Sequence, residues 1–330
     1  MKPVSSLRTF SRRGVLALSL SCVAASAWAA DDTPIRILVG FPPGGSTDVI
    51  ARHLALGLQK ELGRTVIVDN KSGAGGQLAA QALKAAKPDG TTLFLSNSHT
   101  VAMIPLTVLN PGFDPAKDFA PVGLVAIDPA VMAVSTAMVG PDVKNLRDFA
   151  QWAKTHTGNL GIGVPAPASS PEFAVTLIAR ATDVPFKAVP YRGAAPMVQD
   201  VVSGQVPAGI GAIGNALPFA KSGKLRIIAV DGAARLPSLP EVATFAEQGV
   251  KGIESVIFTG LYAPAGTPAP LIQTYNAAIT KTVKSPDFIE KLAGIGATAA
   301  SSTPAELGER VSGALKSWGE MVKAVGFKPQ

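Results

Sequence analysis

Short apolar runs alternate with longer amphipathic segments along most of the chain, and this alternation constrains the fold more than any other feature. Ile35–Val39 has the length and composition of a buried strand, and Val49–Leu62 places Ile50, Leu54 and Leu58 on one face of a helix. The same order recurs further along, which predicts an α/β protein with βαβ units around a mainly parallel sheet. The other predicted strands are Val66–Val68, Thr92–Ser96, Leu160–Gly163, Phe186–Val189, Ala208–Ile210 and Arg226–Val230, and the other predicted helices in this part are Gln77–Ala86 and Asn145–Lys154.

The C-terminal third is predicted to be more helical. Thr267-Pro268, Ser285-Pro286 and Thr303-Pro304 each place a capping hydroxyl before a proline at the first helical position. Glu306 stands three residues after Thr303, which fits a capping box. We therefore predict three helices that begin at these pairs.

The composition excludes several classes of protein. Hydrophobic residues make up 47% of the 330 residues and charged residues only 16%, which excludes intrinsic disorder. The length is typical of two domains. One cysteine excludes a disulfide scaffold and a cysteine-rich zinc site, and three histidines leave little basis for another metal site. We therefore predict neither a metal ion nor a cofactor.

The first thirty residues have the pattern of an export signal. Four basic residues come before an apolar run from Gly14 to Ala30, and no acidic residue precedes Asp31. The small residues Ala27 and Ala29 fit an A-x-A cleavage site. We predict a signal peptide over residues 1–29 that is cleaved near Ala29, and therefore a periplasmic protein.

The same segment accounts for most of the positive charge. It carries four basic and no acidic residues, so its removal lowers the formal net charge from +7 to +3. No cluster of Lys or Arg remains, which excludes nucleic acid as a partner. The pair Arg12-Arg13 also resembles a twin-arginine signal, so the general and the twin-arginine export routes both stay open.

Two glycine-rich turns follow the first two predicted strands, at the edge of the sheet where parallel α/β proteins bind ligands. They are Phe41–Asp48 and Lys71–Gly76, and each opens a predicted helix. Ser46, Thr47 or Asp48 is expected to cap the first helix. Free N–H groups at two adjacent helix starts favour a carboxylate or a phosphate, by about 0.3–1 kcal/mol per helix.

Other kinds of site lack their sequence signatures. Neither turn spells the dinucleotide or P-loop motif, which excludes nucleotide binding. The chain contains no G-x-S-x-G nucleophile elbow and no H-E-x-x-H. Ser98 and His99 are adjacent, a spacing that rarely lets one side chain deprotonate the other, so His99 stays open as a ligand contact or an ordinary loop histidine. We predict no catalytic residue.

Nine short motifs occur in a distinctive order and spacing across nearly the whole chain after the signal. They are Phe41–Asp48, Val68–Asn70, Gly73–Gly76, Lys87–Gly90, Asp118–Val122, Val189–Pro196, Ser203–Val206, Lys221–Arg226 and Ala263–Pro268. In these motifs the sequence resembles the substrate-binding receptors of tripartite tricarboxylate transporters, the Bug or TctC-type family. The resemblance implies a type II periplasmic binding protein fold, in which two α/β lobes close on a ligand in the cleft between them.

The resemblance also implies an organisation and a function. Lobe one would comprise residues 30–127 and 259–330, lobe two residues 128–258, with crossovers near Ala126–Val131 and Ser255–Leu261. The protein would be a monomeric receptor that delivers a small carboxylate, aromatic or dicarboxylic, to the inner-membrane permease of a tripartite tricarboxylate transporter. A secreted hydrolase or isomerase on the same scaffold, and a sensory partner of a membrane kinase, stay open as alternatives.

The family's binding loops map onto particular residues of this chain. In the family, the first two loops hold a ligand carboxylate through backbone N–H groups and bridging water. These loops map onto Pro43, Gly44, Gly45, Ser46, Ala74, Gly75 and Gly76. Further expected ligand-binding residues, outside that mapping, are Phe41, Asn97, Ser98, His99, Ala166, Ser169, Ser170, Arg192 and Asn215. Arg192 could pair with a second carboxylate or lie on the surface.

Lobe two departs from the family pattern. Pro171 removes a backbone donor at a helix start, and Glu172 adds negative charge near the place an anion would occupy. Gly209–Gly214 lacks the Asp that family members often carry after this strand. We therefore expect the ligand end that faces lobe two to be apolar or bulky.

Overall fold

The computed structural model describes residues 33–158, 160–253 and 257–330. The predicted signal peptide lies outside the described residues, as does Ser255 at the start of the second predicted crossover. Two β-sheets flanked by helices form the described part of the chain. None of the helices in these ranges is long and apolar enough to cross a membrane.

The strands divide between a six-stranded and a five-stranded sheet. In chain order they are β1 Ile35–Val39, β2 Val66–Asn70, β3 Thr92–Asn97, β4 Phe119–Ile127, β5 Ala130–Ser135, β6 Gly161–Val164, β7 Lys187–Pro190, β8 Ala208–Ala212, β9 Leu225–Val230, β10 Phe258–Pro264 and β11 Thr298–Ala299. The first sheet has the order β11-β4-β10-β3-β1-β2, and the second has the order β7-β6-β8-β5-β9. All the strands predicted from the sequence are present, within two residues at each end.

The prediction of a mainly parallel sheet is right for only part of each sheet. β1 is parallel to β2 and β3, and β6 is parallel to β7 and β8. β10 is antiparallel to β3 and β4, and β5 is antiparallel to β8 and β9. β4 and β5 lie in different sheets and are joined by only two residues, so the chain passes directly from one sheet to the other.

Helices cover both sheets and bury two main apolar cores. In chain order they are α1 Ser46–Leu62, α2 Gln77–Lys84, α3 Ile104–Thr107, α4 Pro115–Asp118, α5 Thr136–Val139, α6 Leu146–Thr155, α7 Ser170–Thr182, α8 Ala194–Val202, α9 Ile213–Lys221, α10 Ala269–Val283, α11 Pro286–Gly294 and α12 Pro304–Val325. Leu54 of α1 and Ile279 of α10 share one core with β1 and β3. Phe149 of α6 and Val175 of α7 share another with β6.

The C-terminal helices begin where local sequence signals predict, with one exception in the capping. Thr303 and Glu306 form the predicted capping box of α12, and the Ser285 side chain accepts a hydrogen bond from the Phe288 N–H at the start of α11. The prediction that Thr267 caps α10 is wrong. Its hydroxyl donates instead to the Pro264 carbonyl at 2.8 Å, within the turn that precedes the helix.

The chain passes between the sheets at Asp128-Pro129, which join β4 to β5. It returns in the segment between β9 and β10. The Asp128 N–H donates to the Ile257 carbonyl at 2.9 Å, so the outgoing and returning segments are hydrogen-bonded to each other. The exact lobe boundaries, at 127/128 and 258/259, stay a prediction.

Candidate functional site

A cavity lies between the two sheets, where the helix starts and loops after several strands face one another. We call it the Asp128 cavity. It encloses about 720 Å³ between atoms, including solvent at its mouth. Its walls are formed by Phe41, Pro42, Gly45, Ser46, Thr47, Asn97, His99 and Asp128 on one side, by Pro165, Ala166, Ser169, Ser170, Pro171, Gly193, Ala194, Ala195, Pro196, Ala212 and Asn215 on the other, and by Ile257.

A second cavity adjoins the first. We call it the Arg192 cavity, and it encloses about 950 Å³ by the same measure. It is lined by Gly40, Phe41, Pro42, Ser72, Gly73, Ala74, Gly75, Pro165, Ala166, Pro167, Tyr191, Arg192 and Gly193. Five residues line both cavities, namely Phe41, Pro42, Pro165, Ala166 and Gly193. The two cavities therefore adjoin and share part of their walls in the cleft between the lobes.

The cleft brings together most of the residues expected from the sequence. The Asp128 cavity contains Phe41, Gly45, Ser46, Asn97, His99, Ala166, Ser169, Ser170 and Asn215, and the Arg192 cavity adds Ala74, Gly75 and Arg192. Four expected residues line neither cavity: Pro43, Gly44, Gly76 and Ser98. For Gly44, Gly76 and Ser98, local hydrogen bonds and packing explain why.

In the first glycine-rich turn, two backbone donors are already engaged. The Gly45 N–H donates to the Pro42 carbonyl at 3.3 Å. The Gly44 N–H donates to Asp48 Oδ2 at 2.9 Å, and the same carboxylate accepts hydrogen bonds from Arg52 and Asn70. Burial opposes ionisation of Asp48, but these hydrogen bonds outweigh it and keep its pKa below the ordinary value. The Gly44 N–H is therefore not free for a ligand.

Helix α1 begins differently from the sequence expectation. None of Ser46, Thr47 and Asp48 acts as its N-cap, because Gly45 occupies that position without a side-chain cap. Ser46 and Thr47 form the first turn of the helix, whose N–H groups have no partner within the helix, and both residues line the Asp128 cavity. The first turn of α1 therefore lies at the wall of the Asp128 cavity.

The second glycine-rich turn packs tightly on the loop after β3. Gly75 has φ +65°, and a Cβ placed there would lie 2.6 Å from His99 Nε2. A Cβ on Gly76 would lie too close to the Thr100 side chain, and the Thr100 hydroxyl donates to the Gly75 carbonyl at 2.8 Å. Gly76 is thus covered by Thr100, while Ala74 and Gly75 remain at the cavity wall.

The loop after β3 turns its adjacent polar residues in different directions. Ser98 is fully buried and its Oγ accepts a hydrogen bond from the Phe258 N–H at 3.3 Å. His99 lines the cavity, and burial lowers its pKa to about 4, so the imidazole is neutral at pH 7. Within the described chain, His99 Nδ1 and Asn97 Oδ1 are buried and have no hydrogen-bond partner.

Asp128 is an acidic residue of the cavity wall that was not among the residues expected from the sequence. It is only 3% exposed, and its Oδ2 accepts a hydrogen bond from the Ser46 hydroxyl at 2.5 Å. Its Oδ1 has no hydrogen-bond partner among the described residues. Burial raises its pKa to about 6, against the lowering effect of the Ser46 bond. One feature of the sequence could have indicated its role. Asp128 directly follows the apolar run of β4 and lies within the predicted crossover Ala126–Val131.

The lobe-two wall is largely apolar. Its lining includes four prolines and four alanines: Pro165, Pro171, Pro196, Ala166, Ala194, Ala195, Ala212 and, in the Arg192 cavity, Pro167. The Ser169 hydroxyl donates to the Ala166 carbonyl at 2.6 Å. Glu172 accepts from the Ala168 N–H at 2.5 Å and lines neither cavity. The negative charge of Glu172 therefore belongs to the start of α7 and not to the cleft wall.

The chain matches a known protein family and several curated relatives. The sequence matches the TctC family, described as "Tripartite tricarboxylate transporter family receptor", over residues 50–327. Protein BugT of Bordetella pertussis (strain Tohama I) is 31% identical over 296 residues, which cover 89% of this chain and 90% of BugT.

Two solved structures share the whole fold. The periplasmic binding protein BugD is 30% identical with a TM-score of 0.82, over 90% of this chain and 99% of BugD. R. palustris Rpa4515 with adipate is 30% identical with a TM-score of 0.84, over 92% of this chain and 100% of Rpa4515. The predicted periplasmic binding protein fold is confirmed, and the chain belongs to the receptor family of the tripartite tricarboxylate transporters.

Proposed function

We propose that this protein is a periplasmic receptor that captures a small carboxylate and delivers it to the inner-membrane permease of a tripartite tricarboxylate transporter. The observation that carries the proposal is the cleft between the lobes, in which Arg192 and the Ala74–Gly75 turn line the same cavity. Family membership and the adipate in Rpa4515 support a small carboxylate as the ligand. Export with cleavage near Ala29, and a monomeric state, belong to the same proposal.

The ligand carboxylate is proposed to bind in the Arg192 cavity. Arg192 is the charged residue of that cavity's lining, and the Ala74–Gly75 turn lines the same cavity. A guanidinium can hold a carboxylate through two parallel hydrogen bonds. No ion pair of Arg192 with an acidic residue occurs in the described chain, so the guanidinium is available to a ligand.

Binding without turnover is the proposed activity. The adjacent Ser98 and His99 could be imagined as a nucleophile and its base, but the Ser98 hydroxyl is buried against Phe258 and lies outside the cleft lining. The family is one of receptors, which supports the same conclusion. Delivery to a sensory kinase in place of a permease would use the same cleft, and co-purification of the membrane partner distinguishes the two.

Carboxylates should raise the melting temperature of the purified protein. A ligand at a hundred times its Kd adds about 2.7 kcal/mol of stability, and about 2–4 °C per kcal/mol is expected in a protein of this size. We expect a rise of roughly 5–10 °C with at least one member of a panel of mono-, di- and aromatic carboxylates, measured by differential scanning calorimetry. The amides of the same acids are the control. A panel without any shift would contradict the proposed function.

Replacing Gly75 with Ala should weaken both folding and carboxylate binding. Gly63 is a matched control, because its φ and ψ of 63° and 22° nearly equal the 65° and 22° of Gly75, while a Cβ on Gly63 would point into open space. Both substitutions incur about 1–2 kcal/mol of left-handed backbone strain. Only in Gly75→Ala does the added methyl group also displace the His99 side chain. Only this variant should therefore bind the carboxylate more weakly in calorimetric titration. Equal affinities in the two variants would argue against this turn as a binding wall.

A further inference from the structure

The Asp128 cavity holds buried polar atoms that the protein itself does not satisfy. Asp128 Oδ1, Asn97 Oδ1 and His99 Nδ1 are all buried without a hydrogen-bond partner among the described residues. All three residues line the same cavity. A buried polar atom that is left without a partner is costly, so a cluster of such atoms in one cavity points to a group that arrives with the ligand.

The chemistry of this cluster favours a hydrogen-bond donor and disfavours an anion. An ionised carboxylate and an amide oxygen can only accept hydrogen bonds. None of the described residues that line the Asp128 cavity is Lys or Arg, whereas Arg192 lines the adjoining cavity. A ligand carboxylate is therefore attracted toward Arg192 and repelled by Asp128, and the opposite end of the ligand faces the acceptor atoms.

We propose that Asp128 selects ligands that carry a hydroxyl or an ammonium group at the end remote from their carboxylate. The inference rests on the proposed function, because it assumes that a carboxylate is bound in the adjoining cavity. Asp128 Oδ2 is held by the Ser46 hydroxyl at 2.5 Å, which fixes the carboxyl group and leaves Oδ1 to receive the donor. The alanines and prolines of the facing wall contact the apolar part of the ligand that lies between its two polar ends.

The strength of the expected preference follows from the charge of Asp128. Its pKa of about 6 means that it is mostly ionised at pH 7, in a place where little water reaches it. A hydrogen bond to a buried charged group is stronger than one between neutral groups, and an ammonium group also neutralises the charge. An ammonium ligand therefore gains more from Asp128 than a hydroxyl ligand does, and both gain more than a methyl ligand.

The test uses matched ligands that differ only at the remote end. Three backbones, a four-carbon and a six-carbon chain and a para-substituted benzoate, each carry a terminal methyl, hydroxymethyl, aminomethyl or carboxylate group. Isothermal titration calorimetry at pH 7 gives the Kd of each ligand for the wild-type protein. On the backbone that binds best, we expect the hydroxymethyl and aminomethyl forms to bind about tenfold tighter or more than the methyl form.

Two variants assign the preference to Asp128. Asp128→Asn keeps an acceptor but removes the charge, so it should abolish most of the preference for aminomethyl over methyl and less of the preference for hydroxymethyl. Asp183→Asn is the control, because it makes the same change of charge at an exposed residue that lines neither cavity. It should leave both preferences intact.

The outcomes separate this inference from the proposed function. Methyl or carboxylate forms that bind the wild-type protein as tightly as the donor forms would overturn the inference while leaving the carboxylate receptor in place. An undiminished preference for aminomethyl over methyl in Asp128→Asn would also overturn it. If none of the twelve ligands binds, the proposed function fails and the inference fails with it. The wild-type measurement decides between these cases even if a variant does not fold.

Discussion

Replacing Asp128 with Asn and His99 with Gln should change the pH dependence of stability in opposite directions. Both side chains are buried in the same cavity, and burial disfavours the charged form of each. For an acid this means a raised pKa, and for a base a lowered one. The two groups therefore have opposite effects on the free energy of unfolding in the same range of pH.

The contribution of Asp128 is greatest in acid. Its pKa is about 6 in the folded protein and 3.8 as the ordinary value, so the folded state binds the proton more tightly. The stabilisation is fully present below about pH 4 and is lost as the pH rises through 6, and it amounts to about 3 kcal/mol. Asp231 acts in the same direction, because burial and the nearby charge of Asp128 both raise its pKa.

The contribution of His99 is greatest above its ordinary pKa. That pKa is lowered from 6.5 to about 4, so the folded state binds the proton less tightly than the unfolded chain. Its stabilisation is present above pH 6.5 and is lost as the pH falls through 4, again by about 3 kcal/mol. Between pH 4 and 6 the two effects oppose each other in the wild-type protein.

Urea unfolding at pH 7 and pH 4 measures both contributions. Relative to wild type, Asp128→Asn should lose about 3 kcal/mol more stability on acidification, and His99→Gln about 3 kcal/mol less. The double variant is the control, and its pH dependence should lie close to that of wild type. Identical pH profiles for the two single variants would show that these groups do not titrate as their burial predicts.

The sequence predicted the fold well where local patterns are repeated. β1, α1 and the turn between them follow from an apolar run, a helical stripe and a glycine-rich segment, and each of these is a local property. The directions of the antiparallel strands β5 and β10 were harder to predict, because they depend on how the chain passes between the sheets. That passage is set by the short Asp128-Pro129 link and not by hydrophobic periodicity.

The cleft was predicted less completely, for reasons visible in individual residues. The glycine-rich motif placed Gly75 at the site, and the position after a predicted strand made His99 a candidate contact; the structure brings both to the cleft wall. The same reasoning counted the Gly44 N–H as free, because it could not know that the Asp48 side chain turns back to accept from it. It missed Asp128, since an acidic residue after a strand gains importance only when packing leaves one of its oxygens without a partner.

Replacing Arg192 with Gln should weaken carboxylate binding by about 10- to 100-fold, as expected for the loss of a charged hydrogen bond. Gln retains a donor but neither the charge nor the planar fork that matches a carboxylate. Arg192→Lys retains the charge alone and should be intermediate. The control is Arg147→Gln, an identical change of charge at an exposed position of α6, which should leave the Kd unchanged. Titration calorimetry with the best ligand of the panel measures all four proteins, and wild-type affinity in Arg192→Gln would show that the carboxylate binds elsewhere in the cleft.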